Sequence, residues 1–542
     1  MFRAGEAMWD AGADGMNFDT ADAAGDADFL AVPRTVRRLR AALVAEDRPT
    51  RPARVSTFTG GPMDTKAPRP TATYPDLDPA WPLRALQDLS PTPFWLDSPL
   101  APAAEPPLTG SVACDLAVVG GGYAGLWTAL LAKERDPSRD VVVVEAGRVG
   151  RQASGRNGGF CMATITHGLS NTLSRWPDDL ERLTQAGIAE LAEMRADVER
   201  HGIDCDWQDC GEMYIATEPW QIEGLKEEHE LAARAGANHE YLDQEAVRAE
   251  VDSPSFLAAV WDHDCAMLDP ARLAWGLARV CREKGVRIYE GTPATALRRA
   301  GAGVVLDTPA GEVRARQAML ATNAFPALLK RLRPYTIPVY DHALMTEPLN
   351  AEQLAAIGWQ NRQGLGDAGL FFHYFRISEE NRILWGGWDG IYHWRNGIRP
   401  EFDQRRKTFE LLSRHFFATF PQLQGLRFTH GWGGTVDVCS HVTPFYGTAL
   451  GGRVAYALGF TGQGVGAVRF AASVCLDLLA GEHTERTALP VVGSKPVPWP
   501  PEPLRSGVIW MTQRSMQRAH DSGGKSDLWL RTLEKLKLGF DT

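Results

Sequence analysis

The stretch CDLAVVGGGYAGLWTALLAKERDPSRDVVVVEAG, residues 114–147, leaves a chain few ways to fold. Asp115–Val119 and Val141–Val144 are short β-branched runs. They are too apolar for surface strands, so they predict central strands of a parallel sheet. Between them Leu126, Ala129, Leu130 and Ala132 supply the buried stripe of a helix, which completes a βαβ unit. Gly120, Gly122 and Gly125 stand as G-x-G-x-x-G where strand turns into helix. The first glycine allows a sharp turn, the second lets backbone N–H groups approach a pyrophosphate, and the third lets helix and strand pack closely. Glu145, followed by Ala146, ends the second strand about 20 residues on, where an acid accepts hydrogen bonds from ribose hydroxyls and repels a 2′-phosphate. Dinucleotide binding is the expectation, and NADP is disfavoured. A structural glycine turn is the alternative.

The rest of the chain organises around this unit. With 542 residues, two packed domains plus appendages are expected. Residues 1–62, rich in Ala, Asp, Gly and Arg, read as disordered or as a non-native extension, with Met63 as an alternative start. Residues 63–111 read as a proline-rich arm laid on the body through Phe94 and Trp95. Alternating strand and helix patterns assign 112–205, 262–330 and 428–482 to a discontinuous, Rossmann-like nucleotide-binding domain of α/β class. Residues 206–261 and 331–427 are assigned to a second, antiparallel-sheet α+β domain that holds substrate. Residues 483–542 read as a C-terminal extension of two amphipathic helices, a candidate oligomer contact. A net charge of −10 argues against nucleic-acid and anionic-membrane surfaces. The closest of the eight cysteines, Cys205 and Cys210, lack metal or redox spacing, so no metal site is expected. No run of apolar residues is long enough to cross a bilayer, and a cytoplasmic location is expected.

A second glycine-rich stretch, ASGRNGG at 153–159, exceeds what a simple NAD domain needs. With LDPARLA (268–274), ATNAF (321–325), MTEPL (345–349), WGG (385–387) and GFTGQGVG (459–466), it forms an ordered set spanning roughly 112–480. On these motifs the chain resembles the D-amino-acid oxidase-like family of FAD-dependent amine oxidoreductases, and most nearly its gamma-glutamylputrescine oxidase branch. The resemblance implies that FAD lies against Ser154, Gly155, Arg156, Asn157, Gly158 and Gly159, with Thr322 and Asn323 in a turn close by. Gly462, Gln463, Gly464 and Val465 open a helix whose Val468, Ala471, Val474 and Leu478 share one apolar face. Its N-terminal dipole would raise the electron affinity of the flavin. Some relatives attach FAD through a cysteine. Here Thr435 falls at that place and Cys439 lies off it, so noncovalent FAD is expected.

The implied chemistry is oxidation of the C–N bond of a small amine or amino acid, with O2 or another acceptor taking the electrons. Oxidase and dehydrogenase both stay open, since residues 331–470 contain one lysine, Lys407. His373, Tyr374, Arg376, Trp388, Tyr392 and His441 are the candidate lining and catalytic residues. A flavin monooxygenase or NAD-linked dehydrogenase sharing only the nucleotide turn, or a noncatalytic flavin-binding subunit of an amine dehydrogenase, are the alternatives.

Overall fold

The computed structural model describes residues 78–539; the expectations for 1–62, for the first part of the arm and for 540–542 fall outside the described residues. The apolar runs form the centre of an eight-stranded sheet. Its parallel strands lie in the order Val454–Leu458, Gly311–Leu320, Gly110–Val119, Val141–Val144, Arg287–Tyr289, with Phe445–Ala449 antiparallel at one edge. An antiparallel meander, Ala296–Ala300 and Gly303–Thr308, branches from Gly311–Leu320. Val141–Val144 is buried along its whole length, as a strand covered on both faces must be.

Three helices cover one face: Tyr123–Arg135, Pro270–Glu283 and Gly464–Ala480. Each begins for a local reason. Pro270 sits in the first turn, and the Asp269 carboxylate accepts from the Ala271 and Arg272 amides at 2.9 and 3.0 Å. That helix ends at Glu283, with Gly285 at φ +83° just beyond, as its sequence predicts. The third helix is buried almost throughout and packs against the first.

The second sheet has nine strands, antiparallel except where Gly364–Asp367 runs parallel to Glu212–Ala216. Its longest pairing joins Thr336–Thr346 to Phe428–Cys439. That strand corrects one boundary: residues 428–439, which the sequence pattern assigns to the nucleotide-binding segments, complete the second sheet. Their alternating pattern is compatible with either sheet, and only the long antiparallel register decides. One face carries a core of Phe375, Trp385, Phe416 and Phe420, roofed by the helix Arg406–Thr419. The other face meets Trp95, which is buried with Ala343, Met345, Leu384 and Trp432. The C-terminal helices are Leu504–Asp521 and Leu528–Lys535. The first binds the body through Gln513, which donates to the Gly390 carbonyl at 2.7 Å. Among the described residues no helix is long and apolar enough to cross a membrane.

Candidate active site

The first glycine turn has the tightness its spacing implies. Gly120 sits at φ +111°, and a Cβ there would lie 2.4 Å from the Ala321 carbonyl oxygen; at Gly125 a Cβ would lie 1.9 Å from the Gly120 oxygen. Only glycine fits either position. The Glu145 carboxylate accepts from the Gly121 amide at 2.7 Å and the Gly147 amide at 2.8 Å. Burial pushes its pKa up and these amides pull it down. Ala146 is exposed beside it. Ser154 reaches across from the second glycine stretch, its Oγ accepting from the Tyr123 amide at 3.0 Å, and so caps the nucleotide helix.

The remainder of 154–159 divides by role. Asn157 braces its own loop: its amide donates to the Ala153 and Ser154 carbonyls, and its oxygen accepts from the Gly159 amide at 2.8 Å. Arg156 is held by Asp403 at 2.5 Å and by the Gly433 carbonyl at 2.8 Å. Its side chain ties the loop to the second sheet. Gly155 lies within this turn, and Gly158 and Gly159 abut Tyr374 and Arg376, respectively. Thr322 and Asn323 follow the Gly311–Leu320 strand, Asn323 at φ +48°. Gly462, at φ +93°, and Gln463 precede the helix that opens with Gly464 and Val465. The Gln463 Oε1 is buried with no hydrogen-bond partner.

On the second sheet, strand alternation separates residues that are neighbours in sequence. Tyr374 faces the glycine loop, edge-on to Phe160 at 5.9 Å, and its hydroxyl donates to Asp341 at 2.7 Å. Burial pushes the Asp341 carboxyl up to about 6. His373 faces the opposite way. It stacks between Trp385 and Trp388, pairs with Asp367 at 2.5 Å and meets His415 at 2.9 Å. Trp388 lies there too, 4.4 Å from the His415 ring. His373 and Trp388 therefore do not share a pocket with Tyr374.

Arg376 shares the Tyr374 face but is fully buried, donating to the Leu268 carbonyl at 2.6 Å, with Asp206 at 3.6 Å. Tyr392 sits near the sheet edge, its hydroxyl donating to Glu502 at 2.6 Å. His441 lies beyond the Phe428–Cys439 strand beside Ser494, and burial holds its pKa down to about 4. Thr435 is buried on that strand. The Cys439 thiol donates to the Thr443 carbonyl at 3.2 Å, and burial keeps it protonated.

Two acids that the sequence reading passed over stand on the Tyr374 face. Glu212 is buried beneath the space left by Gly366, its carboxyl pushed by burial up to about 8. Asp341 is the other. The donors that reach them are Tyr214, Tyr374, the Cys265 thiol and the His342 amide, not arginine or lysine. A lone acid in each of the apolar strands EMYIA and TIPVYDHALMT was the available signal. Among the described residues no cluster could hold a metal ion.

Residues 115–478 match the DAO family, FAD dependent oxidoreductase, across most of the chain. This chain is a DAO-family FAD-dependent oxidoreductase. The DAO-family chain is 32% identical to gamma-glutamylputrescine oxidoreductase of Escherichia coli (strain K12) over 383 residues, which are 69% of this chain and 85% of that protein. Glycine oxidase from Geobacillus kaustophilus shares the fold with a TM-score of 0.60 at 19% identity, covering 70% of this chain and 98% of the other. L-proline dehydrogenase from P. horikoshii does so with a TM-score of 0.57 at 18% identity, covering 71% and 96%. The observed residues fit the family's cofactor. The strand-to-helix turn is too tight for any side chain at Gly120 or Gly125, and the Gln463 oxygen is buried and unsatisfied beside a second helix start. The family makes this protein an enzyme, an FAD-dependent oxidoreductase.

Proposed function

We propose that this enzyme oxidises the C–N bond of a small amine at the face bearing Tyr374, Asp341 and Glu212. In this reading the eight-stranded body holds FAD noncovalently and the nine-stranded body holds substrate. Gly120, Gly122, Gly125, Glu145 and Ala146 would hold the adenosine end, and residues 154–159, Thr322, Asn323 and Gly462–Val465 would line the rest. Bound FAD supplies the two-electron acceptor. The substrate gives up a hydride from the carbon beside a neutral amine, the resulting C=N bond takes up water, and for a terminal amine an aldehyde and ammonia leave.

One observation carries this reading: two carboxyls, Glu212 buried and Asp341 half-buried, stand on the glycine-loop side of the second sheet and take their hydrogen bonds from neutral donors rather than from arginine or lysine. Such a surface favours an ammonium-bearing guest. Asp341, tuned to about 6, accepts the proton that the substrate ammonium must lose, while Tyr374 holds the carboxylate in place. Arg156 already has a carboxylate neighbour in Asp403 at 2.5 Å, so it is not presented to a substrate α-carboxylate. The name of the Escherichia coli relative supports a terminal amine of the putrescine kind. The eight cysteines are free thiols, which supports a reducing, cytoplasmic setting.

Anaerobic mixing of the yellow protein with a panel of terminal amines, secondary amines and amino acids tests this. Bleaching of the flavin band is expected with terminal amines, and re-aeration with peroxide detection reads whether O2 is the acceptor. Bleaching by amino acids alone would overturn the substrate class. A flavin unmoved by every amine would overturn the activity.

A further inference from the structure

The turn that opens the last flavin-side helix is gripped from two sides by groups that no sequence motif singled out. Asp437, near the end of the Phe428–Cys439 strand, is 1% exposed. Its carboxylate accepts from the Gly459 amide at 2.5 Å and from the Phe460 amide at 3.2 Å, while its own carbonyl accepts from the Thr461 amide at 3.3 Å. From the opposite side, His167 Nε2 lies 2.9 Å from the Thr461 carbonyl oxygen. A carbonyl can only accept, so Nε2 carries the proton. His167 is held at φ +72°, a conformation costly for a residue with a side chain. The chain then passes Thr461 at φ +49° and Gly462 at φ +93° into the helix Gly464–Ala480.

We propose that Asp437 and His167 are positioning residues of the flavin site, fixing the Gly459–Thr461 turn so that the first amides of the Gly464–Ala480 helix keep one direction. The proposal rests on the reading of Gly462–Val465 as a flavin contact. Asp437 also sets charge. Burial raises its pKa to about 7, and the surrounding amides lower it. The main influences on it are burial and backbone amides rather than a charged side chain; Cys439 on its own strand is kept neutral by burial, and burial lowers the pKa of His167 across the turn. Among the described residues no charged side chain is a main influence on an ionised Asp437. A buried negative charge behind the turn opposes the positive end of the helix dipole, and with it the electron affinity the dipole confers.

The test uses the FAD-loaded full-length protein. Asp437→Asn is expected to favour reduced over oxidised FAD about tenfold at about pH 8.5, read as a rise of about 30 mV in the two-electron midpoint potential. The difference should close at about pH 5.5, where the wild-type carboxyl is protonated. His167→Ala should weaken FAD binding about tenfold by equilibrium dialysis, and His167→Gln, which can still donate to Thr461, should restore it. An unchanged potential at both pH values with FAD bound overturns the role of Asp437. Loss of FAD only in step with unfolding of the apoprotein, or failure of His167→Gln to restore binding, overturns the clamp. A wild-type protein that binds no FAD would instead remove the reading on which the proposal stands.

Discussion

The two faces of the nine-stranded sheet come from the same strands yet are built on opposite rules. The face under the Arg406–Thr419 helix is filled: Trp385 packs on Phe375 at 4.5 Å and on Phe416 at 5.6 Å, and His373 bridges Asp367 and His415. The face toward the glycine loop is relieved by Gly364, Gly366 and Gly386 and carries carboxyls whose hydrogen-bond donors are neutral. One face is given over to aromatic packing; the other sets its acids where glycines leave room beside them. Candidate residues in a strand should therefore be judged by the face they occupy, not by residue type.

Substitutions on either side can break this contrast. The largest effect should follow Trp385→Ala, expected to cost about 3–5 kcal/mol in chemical denaturation with little preference among amines altered. A change in substrate order without loss of stability would count against the division. On the other face, Asp341→Asn should lower kcat/KM about 100-fold while leaving the unfolding midpoint nearly unmoved. Because the wild-type rate rises as Asp341 loses its proton, the acid limb near pH 6 should vanish in this variant's pH profile. His373→Gln should cost about 1–3 kcal/mol through the unmatched Asp367 and His415, with kcat/KM kept; a lost rate would return His373 to the substrate side.

The smallest effect concerns Glu212. Its folded pKa, raised from 4.5 to about 8, means that the folded state binds the proton more tightly than the unfolded one. That stability is full below the unfolded value and is lost as pH rises toward 8. Glu212→Gln should thus raise the melting temperature at about pH 8.5 by roughly 2 °C per kcal/mol recovered, and leave it unchanged near pH 4.

Much of the nucleotide-binding half is legible because its constraints are local. Asp115–Val119, the glycines and Val141–Val144 specify strand, turn and strand within one stretch, and Asp269–Pro270 announces its helix without distant help. The second sheet is harder to read because its meaning lies in register. Nothing in HYFRI says that His373 will stack beneath a helix while Tyr374 turns to the glycine loop; the partners Gly387 and Gly386 decide that from another strand. Asp341 and Asp437 were passed over for a related reason: each gains its role from groups far along the chain, Tyr374 in one case and the Gly459–Phe460 amides in the other.

The Phe428–Cys439 strand spans both concerns, with Gly433 and Gly434 beside Arg156 in its middle and Asp437 under the Gly459 turn near its end. A single-residue insertion between those points would invert every side chain downstream. Added length in a surface loop costs little, but this segment behaves as a ruler whose graduations have to stay put.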